Sequence, residues 1–234
     1  MEKLVIIGIS ETAERILTFC ELYNLYEVIG FAVDSQYRRV ESYHDRPVWD
    51  LETLDKQIDK SKVLVFVALF WNHLNGDRRR LFDRLNARGY HFANILSPMS
   101  SIRGEIGQNC WVMDFAVVQE GARIGDNVIM ADNAFVGNMT EISDHCFIGA
   151  KATIMGASKV GLQCFIGIGA CIYESVVIGS KCIIGACTIV KKDIPCFTMV
   201  KVESSNVIKT YDEKDIENKM VARYKVKQYA KKIE

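Results

Sequence analysis

The sequence predicts a small parallel α/β domain, then a tall coil of short strands turned at tight corners, then a helical tail. Three observations predict this. Apolar runs of strand length alternate with helix-length stretches over the first third of the chain. From Ile106 to Val190 every sixth residue is Ile, Val or Met, fifteen times without a break. Twelve of the 16 glycines and six of the eight cysteines fall between residues 102 and 194. The expected divisions are 1–97, 98–200 and 201–234.

The first domain reads in order. Residues 4–9 form a buried strand, and Ser10 is placed to cap a helix over 11–23. Residues 28–34 form a second strand that ends on Asp34. Residues 63–69 form a third, followed by a helix near 78–88. The first turn, Gly8-Ile9-Ser10-Glu11-Thr12-Ala13, keeps one glycine of a G-x-G-x-x-G loop, so a full dinucleotide site is not expected. The helix N-terminus after Gly8 still offers backbone N–H groups to a phosphate. Asp34 stands where such domains place an acid for a ribose or sugar hydroxyl.

A period of six fits neither a helix nor a long strand. It fits sides of one short strand each, with the aliphatic residue inward and a small residue four positions later in the remaining inner slot. Fourteen of those fifteen small positions are Ala, Cys, Ser, Thr or Val. Three sides make an 18-residue coil, and five coils at roughly 4.8 Å spacing stand about 24 Å tall. Cys110, Cys146, Cys164 and Cys182 occupy inner slots and read as small hydrophobes. The repeat glycines read as corners that need permissive backbone angles.

Composition excludes other classes. Lys+Arg and Asp+Glu each number 29, so the zero net charge argues against a nucleic-acid partner. No apolar run reaches the ~18 residues of a membrane span. The first ten residues turn acidic too early for a signal peptide, so a cytoplasmic protein is expected. No Cys pair has C-x-x-C spacing, and no metal is expected.

The pattern [aliphatic]-Gly-x-x-[small]-x over 102–194 resembles the hexapeptide-repeat acyltransferases. The resemblance implies that the coil is a left-handed parallel β-helix. A small α/β domain followed by an uninterrupted coil, over roughly 3–200, is similar to one branch in particular. That branch holds the sialic-acid O-acetyltransferases and the N-acetyltransferases of UDP- or dTDP-linked 4-amino sugars. It implies a homotrimer using acetyl-CoA as co-substrate on a nucleotide-linked amino sugar, in surface-glycan biosynthesis. Sugar O-acetylation and a non-catalytic scaffold stay open beside N-acetylation. A carbonic anhydrase on the same coil would need three His on zinc, and the repeat holds one.

Acyl transfer to an amine needs a base, an oxyanion donor and two held substrates. In the relatives a His stands two residues after an aliphatic position; here Asp144 stands there and His145 one later, so the two residue types are swapped. The resemblance makes His145 the candidate base, with Asp144 as the other candidate and Asp144 or Glu141 able to orient the ring. His145 is expected at an outward corner, on a polar ridge of Asn109, Asn127, His145, Gln163 and Lys181. Backbone N–H groups of Gly161 and Leu162 are the candidate oxyanion donors. Gly167, Ile168, Gly185 and Ala186 match positions that hold pantetheine, and Lys191 and Lys192 could meet the CoA phosphates. A second His of some relatives falls on Thr153. Gly8, Ser10, Asp34, Ala68, Asn72 and Asn138 are the candidate sugar-nucleotide contacts. His73 could line the cleft, and reads more readily as a surface-loop residue. Ile216, Met220 and Tyr224 recur every four residues and predict an amphipathic terminal helix.

Overall fold

A computed structural model of the chain describes residues 1–202; the predicted terminal helix lies outside the described residues. Strand β1 (Lys3–Ile7) leads through the Gly8–Ser10 turn into α1 (Glu11–Tyr23), the helix expected. Then come β2 (Glu27–Val33), a short hairpin of β3 (Ser42–Tyr43) and β4 (Arg46–Asp50), β5 (Val63–Val67) and α2 (Gly76–Ala87). The sheet order is β3-β4-β2-β1-β5, and all its pairs are parallel except β3–β4. The hairpin was not expected: its strands are short and carry Arg46 and Pro47 where an apolar run would signal a strand. Ser10 takes the N-cap position, but its hydroxyl does not cap. It points to the Ala68 carbonyl at 3.5 Å instead, so no side chain closes the first turn of α1.

From Ile95 to Val200 the chain winds through two-residue strands paired in parallel, mostly with the strand 18 residues on, as Val117 is with Phe135, and 16 residues on at the two ends, as Ile95 is with Trp111 and Ile183 with Met199. They stack into three faces of seven, six and five strands. One inner column runs Val112, Val118, Ile124, Met130 and onward, and Cys110, Cys146, Cys164 and Cys182 are buried in the slots beside it. The sequence reading of those cysteines holds.

The reading of the glycines does not. Every sixth residue from Asn109 to Cys187 has a positive φ, and only Gly121 and Gly169 among these are glycine. Most of the repeat's glycines fall two residues earlier, where φ is ordinary. There the next coil leaves no room: a Cβ on Gly125 would lie 2.8 Å from the Asp144 nitrogen, and one on Gly161 would lie 2.6 Å from the Ser180 nitrogen. Close approach between coils, not backbone angle, selects glycine at these positions.

The three faces differ. The seven-strand face turns Trp111, Ile129 and Phe147 outward into one core with Leu4, Ile16, Phe31 and Phe66, so the α/β domain is docked on it. The five-strand face is charged, with Arg123–Glu105 at 3.4 Å and Lys159–Glu141 at 3.3 Å. The six-strand face carries Val117, Phe135, Thr153, Cys171 and Ile189 outward, without a covering layer among the described residues.

Candidate active site

Parallel strands deliver their C-terminal ends to one edge of a sheet, and ligands bind in the crevice there. Here Gly8 follows β1, Asp34 follows β2 and Leu69 follows β5. Together with His73, Asp77, Arg80 and Arg84 from the α2 side they line a cleft of about 830 Å³. Gly8 has φ 131°, a value that favours glycine, and its Cα lies against the Ala68 carbonyl. The amides at the start of α1 face an uncapped end, and the Arg80 and Arg84 guanidinium groups add positive charge opposite. Asp34 pairs with Arg84, which fixes both side chains in the wall.

Of the expected sugar-nucleotide contacts, the structure brings Gly8, Ser10 and Asp34 together in this cleft. Ala68 is buried beneath Gly8 and forms the floor without lining it. Asn72 is exposed and outside the lining. The α2 residues were missed, although Asp77, Arg80 and Arg84 sit three to four apart and share one helix face.

The β-helix candidates are dispersed over three edges of the prism. His145, Asp144, Gly161 and Leu162 stand on the edge between the charged and docked faces. Asn138, Lys191 and Lys192 stand between the charged and apolar faces. Gly167, Ile168, Gly185 and Ala186 stand between the docked and apolar faces.

His145 is not at an outward corner. α2 covers that edge, so Asn109, Asn127, His145 and Gln163 are all buried, and only Lys181 of the expected ridge is exposed. The His145 residue is 5% exposed, with its ring edge-on to Phe82 at 5.8 Å. Its orienting partner is neither Asp144 nor Glu141. The Val67 backbone N–H donates to Asn109 Oδ1 at 2.9 Å, Asn109 Nδ2 donates to Asn127 Oδ1 at 2.6 Å, and Asn127 Nδ2 faces His145 Nδ1 at 2.9 Å. A backbone N–H can only donate, so the direction of the whole ladder is fixed and Nδ1 of His145 must accept. Burial pushes the His145 pKa down, which favours the same neutral ring. Asn75 Nδ2 donates to the His145 carbonyl at 2.8 Å, and Arg78, fully buried, donates to the Asn109 carbonyl at 2.7 Å. These residues join the two domains. A ring so enclosed is not the outward-facing imidazole expected at this corner, and the expected exposure of His145 is corrected on that ground.

Asp144 accepts from the Asp126 N–H at 2.8 Å, as Asp126 accepts from the Gln108 N–H one coil earlier at 2.8 Å, so its carboxylate closes a corner. Glu141 lies on the charged face with Lys159. The proposed oxyanion donors are spent within the coil: Gly161 N–H donates to Ile178 O at 2.8 Å, and Leu162 N–H donates to Ser180 Oγ at 3.1 Å. On the docked–apolar edge, Gly167 and Gly185 likewise use their N–H groups, whereas Ile168 and Ala186 are exposed and make no backbone hydrogen bond through theirs among the described residues. Lys191 stands over the Tyr173 ring at 5.2 Å, and Lys192 is exposed. Thr153 lies on the apolar face.

Comparisons with known proteins agree with this architecture. Residues 104–138 match the family model "Bacterial transferase hexapeptide (six repeats)", and residues 159–192 match "Hexapeptide repeat of succinyl-transferase". None of the curated proteins matches the chain. Among solved structures, a mutant of perosamine N-acetyltransferase from Caulobacter crescentus, in complex with CoA and GDP-perosamine, superposes with a TM-score of 0.75 at 23% identity. The match covers 88% of this chain and 98% of that one. The acetyltransferase domain of PglB from Neisseria gonorrhoeae, in complex with acetyl coenzyme A, gives 0.72 at 24% identity over 84% and 96%. WeeI from Acinetobacter baumannii gives 0.72 at 20% identity over 85% and 96%. The repeats of the chain match those hexapeptide models over the two stretches given, and its fold is the one those solved structures share.

Proposed function

We propose that the protein is an acetyl-CoA-dependent N-acetyltransferase acting on the amino group of a nucleotide-linked sugar. The observation that carries this reading is the 830 Å³ cleft at the ends of β1, β2 and β5, set beside a hexapeptide coil. The cleft offers uncapped helix amides and two arginines to a diphosphate, and Asp34 to a hydroxyl. The similarity to proteins solved with CoA, acetyl coenzyme A and GDP-perosamine supports the same pair of ligand classes. Ile168 and Ala186 are exposed on a coil edge with backbone N–H groups that have no partner among the described residues, which suits a pantetheine carbonyl running along it.

The working form is a homotrimer closed on the six-strand face. Its outward residues are apolar, and the edges beside it expose Met139 (63%), Phe115 (55%) and Ile168 (54%). An exposed apolar surface of that extent marks an association site. Closing it brings the Ile168 edge of one copy and the Asn138 edge of the next toward a shared groove, where Lys191 and Lys192 can meet CoA phosphates.

The test is turnover of purified protein with acetyl-CoA and UDP-, dTDP- or GDP-linked 4-amino sugars, followed by thiol release and product mass. An added acetyl group on the sugar nitrogen with one nucleotide class is the expected result. Acetylation at a hydroxyl would move the reading to an O-acetyltransferase, and no transfer with any donor–acceptor pair would leave a scaffold.

A further inference from the structure

We propose that His73, held by Asp77, takes the proton from the acceptor amine; this rests on the N-acetyltransferase reading above. Of the four histidines, His145 is buried in the ladder between domains, His44 lies on the edge hairpin, and His91 precedes the bridge of Phe92 to Val65, in the middle of β5 and outside the cleft lining. His73 alone lines the cleft.

Its side chain is 80% exposed, and its Nδ1 lies 2.8 Å from Asp77 Oδ2. With Nδ1–H given to the carboxylate, Nε2 is the free lone pair, aimed by Asp77 as a carboxylate aims a catalytic imidazole. The loop that carries it is fixed at both ends to the coil. The Trp71 ring stands 5.1 Å from the Phe165 ring, and Asn75, 1% exposed, donates to the His145 carbonyl. His73, Leu74 and Asn75 all have left-handed φ, at 50°, 53° and 61°, a run that L residues rarely adopt. Phe165 is two residues from Gly167 and three from Ile168, so the same loop joins the sugar cleft to the coil edge assigned to the acetyl thioester.

The step balances as follows. The neutral amine nitrogen attacks the thioester carbonyl carbon and forms the N–C bond. One N–H proton passes to His73 Nε2. The C–S bond breaks, and the imidazolium returns that proton to the departing sulfur, leaving an amide and a free thiol. The charged groups lining the cleft with the ring are Asp77, Arg80 and Arg84 on α2, with Asp34 across the cleft.

The experiment measures kcat, KM and pH profiles for wild type, His73→Gln, Asp77→Asn and His145→Asn with the sugar nucleotide that the panel above selects. His73→Gln is expected to lower kcat by roughly 10²–10⁴-fold, to leave KM within about threefold, and to abolish the acid limb of the profile. Asp77→Asn is expected to move that limb and lower kcat by about tenfold. His145→Asn extends the ladder with another amide and is expected to keep the limb. Near-wild-type kcat with the limb intact in His73→Gln, a loss confined to KM, or loss of the limb in His145→Asn would each overturn the proposal. Wild-type protein inert across the panel would overturn the N-acetyltransferase reading and this assignment with it, whereas an active wild type with an unaffected His73→Gln overturns the assignment alone.

Discussion

Burial pushes the His145 pKa down, and a backbone amide two side chains away fixes which ring nitrogen accepts. The Val67 N–H fixes Asn109, Asn109 fixes Asn127, and Asn127 offers His145 only a donor. Protonating Nδ1 would set donor against donor, and reversing the asparagines would set Asn109 Nδ2 against the Val67 N–H. The consequence for stability has a definite sign. The folded pKa lies below the ordinary 6.5, so between those values the unfolded chain binds more protons. The contribution is complete above pH 6.5 and is lost as pH falls through the folded value, with a slope of at most about 1.4 kcal/mol per pH unit from one group. Urea midpoints taken from pH 8 to pH 5 should fall over this window in wild type and stay flat there in His145→Asn; equal slopes would show that the ladder does not select the neutral ring. A second residue-scale prediction concerns the cleft. Asp34→Ala removes the partner of Arg84 and a hydroxyl acceptor together. We expect KM for the sugar nucleotide to rise roughly 10–100-fold, as for loss of a charge-assisted hydrogen bond, with kcat changed little. A kcat defect at unchanged KM would instead put Asp34 at the reacting centre.

At the scale of the element, the corner of each rung separates two demands that the sequence mixes. One position needs a left-handed backbone angle and accepts Asn, His, Lys or Met. At rungs such as those of Gly125, Gly137 and Gly161, another position two residues earlier excludes a Cβ because the next coil's amide nitrogen lies under 3 Å from where it would be, whereas on other rungs Met113, Gln119 and Tyr173 carry side chains there. Gly161→Ala, at an ordinary φ, should therefore cost about 1–3 kcal/mol or more by overpacking against backbone. Gly169→Asn, at φ 65° with only the Cys187 Sγ within 4 Å of an added Cβ, at 3.3 Å, should cost about 1 kcal/mol or less. Guanidinium midpoints of the two variants would check this, and the reverse order would restore the backbone-angle account. The same rungs show what was legible beforehand. A six-residue period constrains every inward position at once, so the coil, its inner column and its buried cysteines could be read from residue types alone. The α1 boundaries followed from apolar spacing. The β3–β4 hairpin did not, because two-residue pairing leaves no period. The site was readable only in part, for a physical reason. Gly8, Ser10 and Asp34 are local to strand ends, where topology puts ligands. Exposure of the His145 edge depends on where α2 docks, which is a contact across 70 residues. The ridge of Asn109, Asn127 and Gln163 looked like any polar corner because the residues that can face water are those that can hydrogen-bond to another domain.

At the scale of the molecule, the three faces of the prism account for three different surroundings. The docked face is aromatic and buries Trp111 and Phe147 against the α/β core. The charged face satisfies itself with cross-rung pairs such as Lys159–Glu141 and suits water. The remaining face has neither device: Val117, Phe135, Cys171 and Ile189 present no charge, and the exposed residues along its edges include Phe115, Met139, Met155 and Ile168. If a threefold assembly closes on this face, the 26.5 kDa chain sediments at about three times that mass. Phe135→Arg puts a charge at the centre of the face, where a like residue from another copy would meet it without a partner, at a cost of several kcal/mol. The position points away from the inner column, so folding of the coil itself is left intact. We expect Phe135→Arg to shift the protein to monomer in sedimentation velocity, to keep the near-ultraviolet spectrum of the folded chain, and to lose acetyl transfer while still binding the sugar nucleotide in the α/β cleft. That split decides where the donor groove lies. Loss of transfer with retained nucleotide binding requires groups from two copies, whereas a fully active monomer would mean that one chain holds both substrates and that the apolar face serves another purpose.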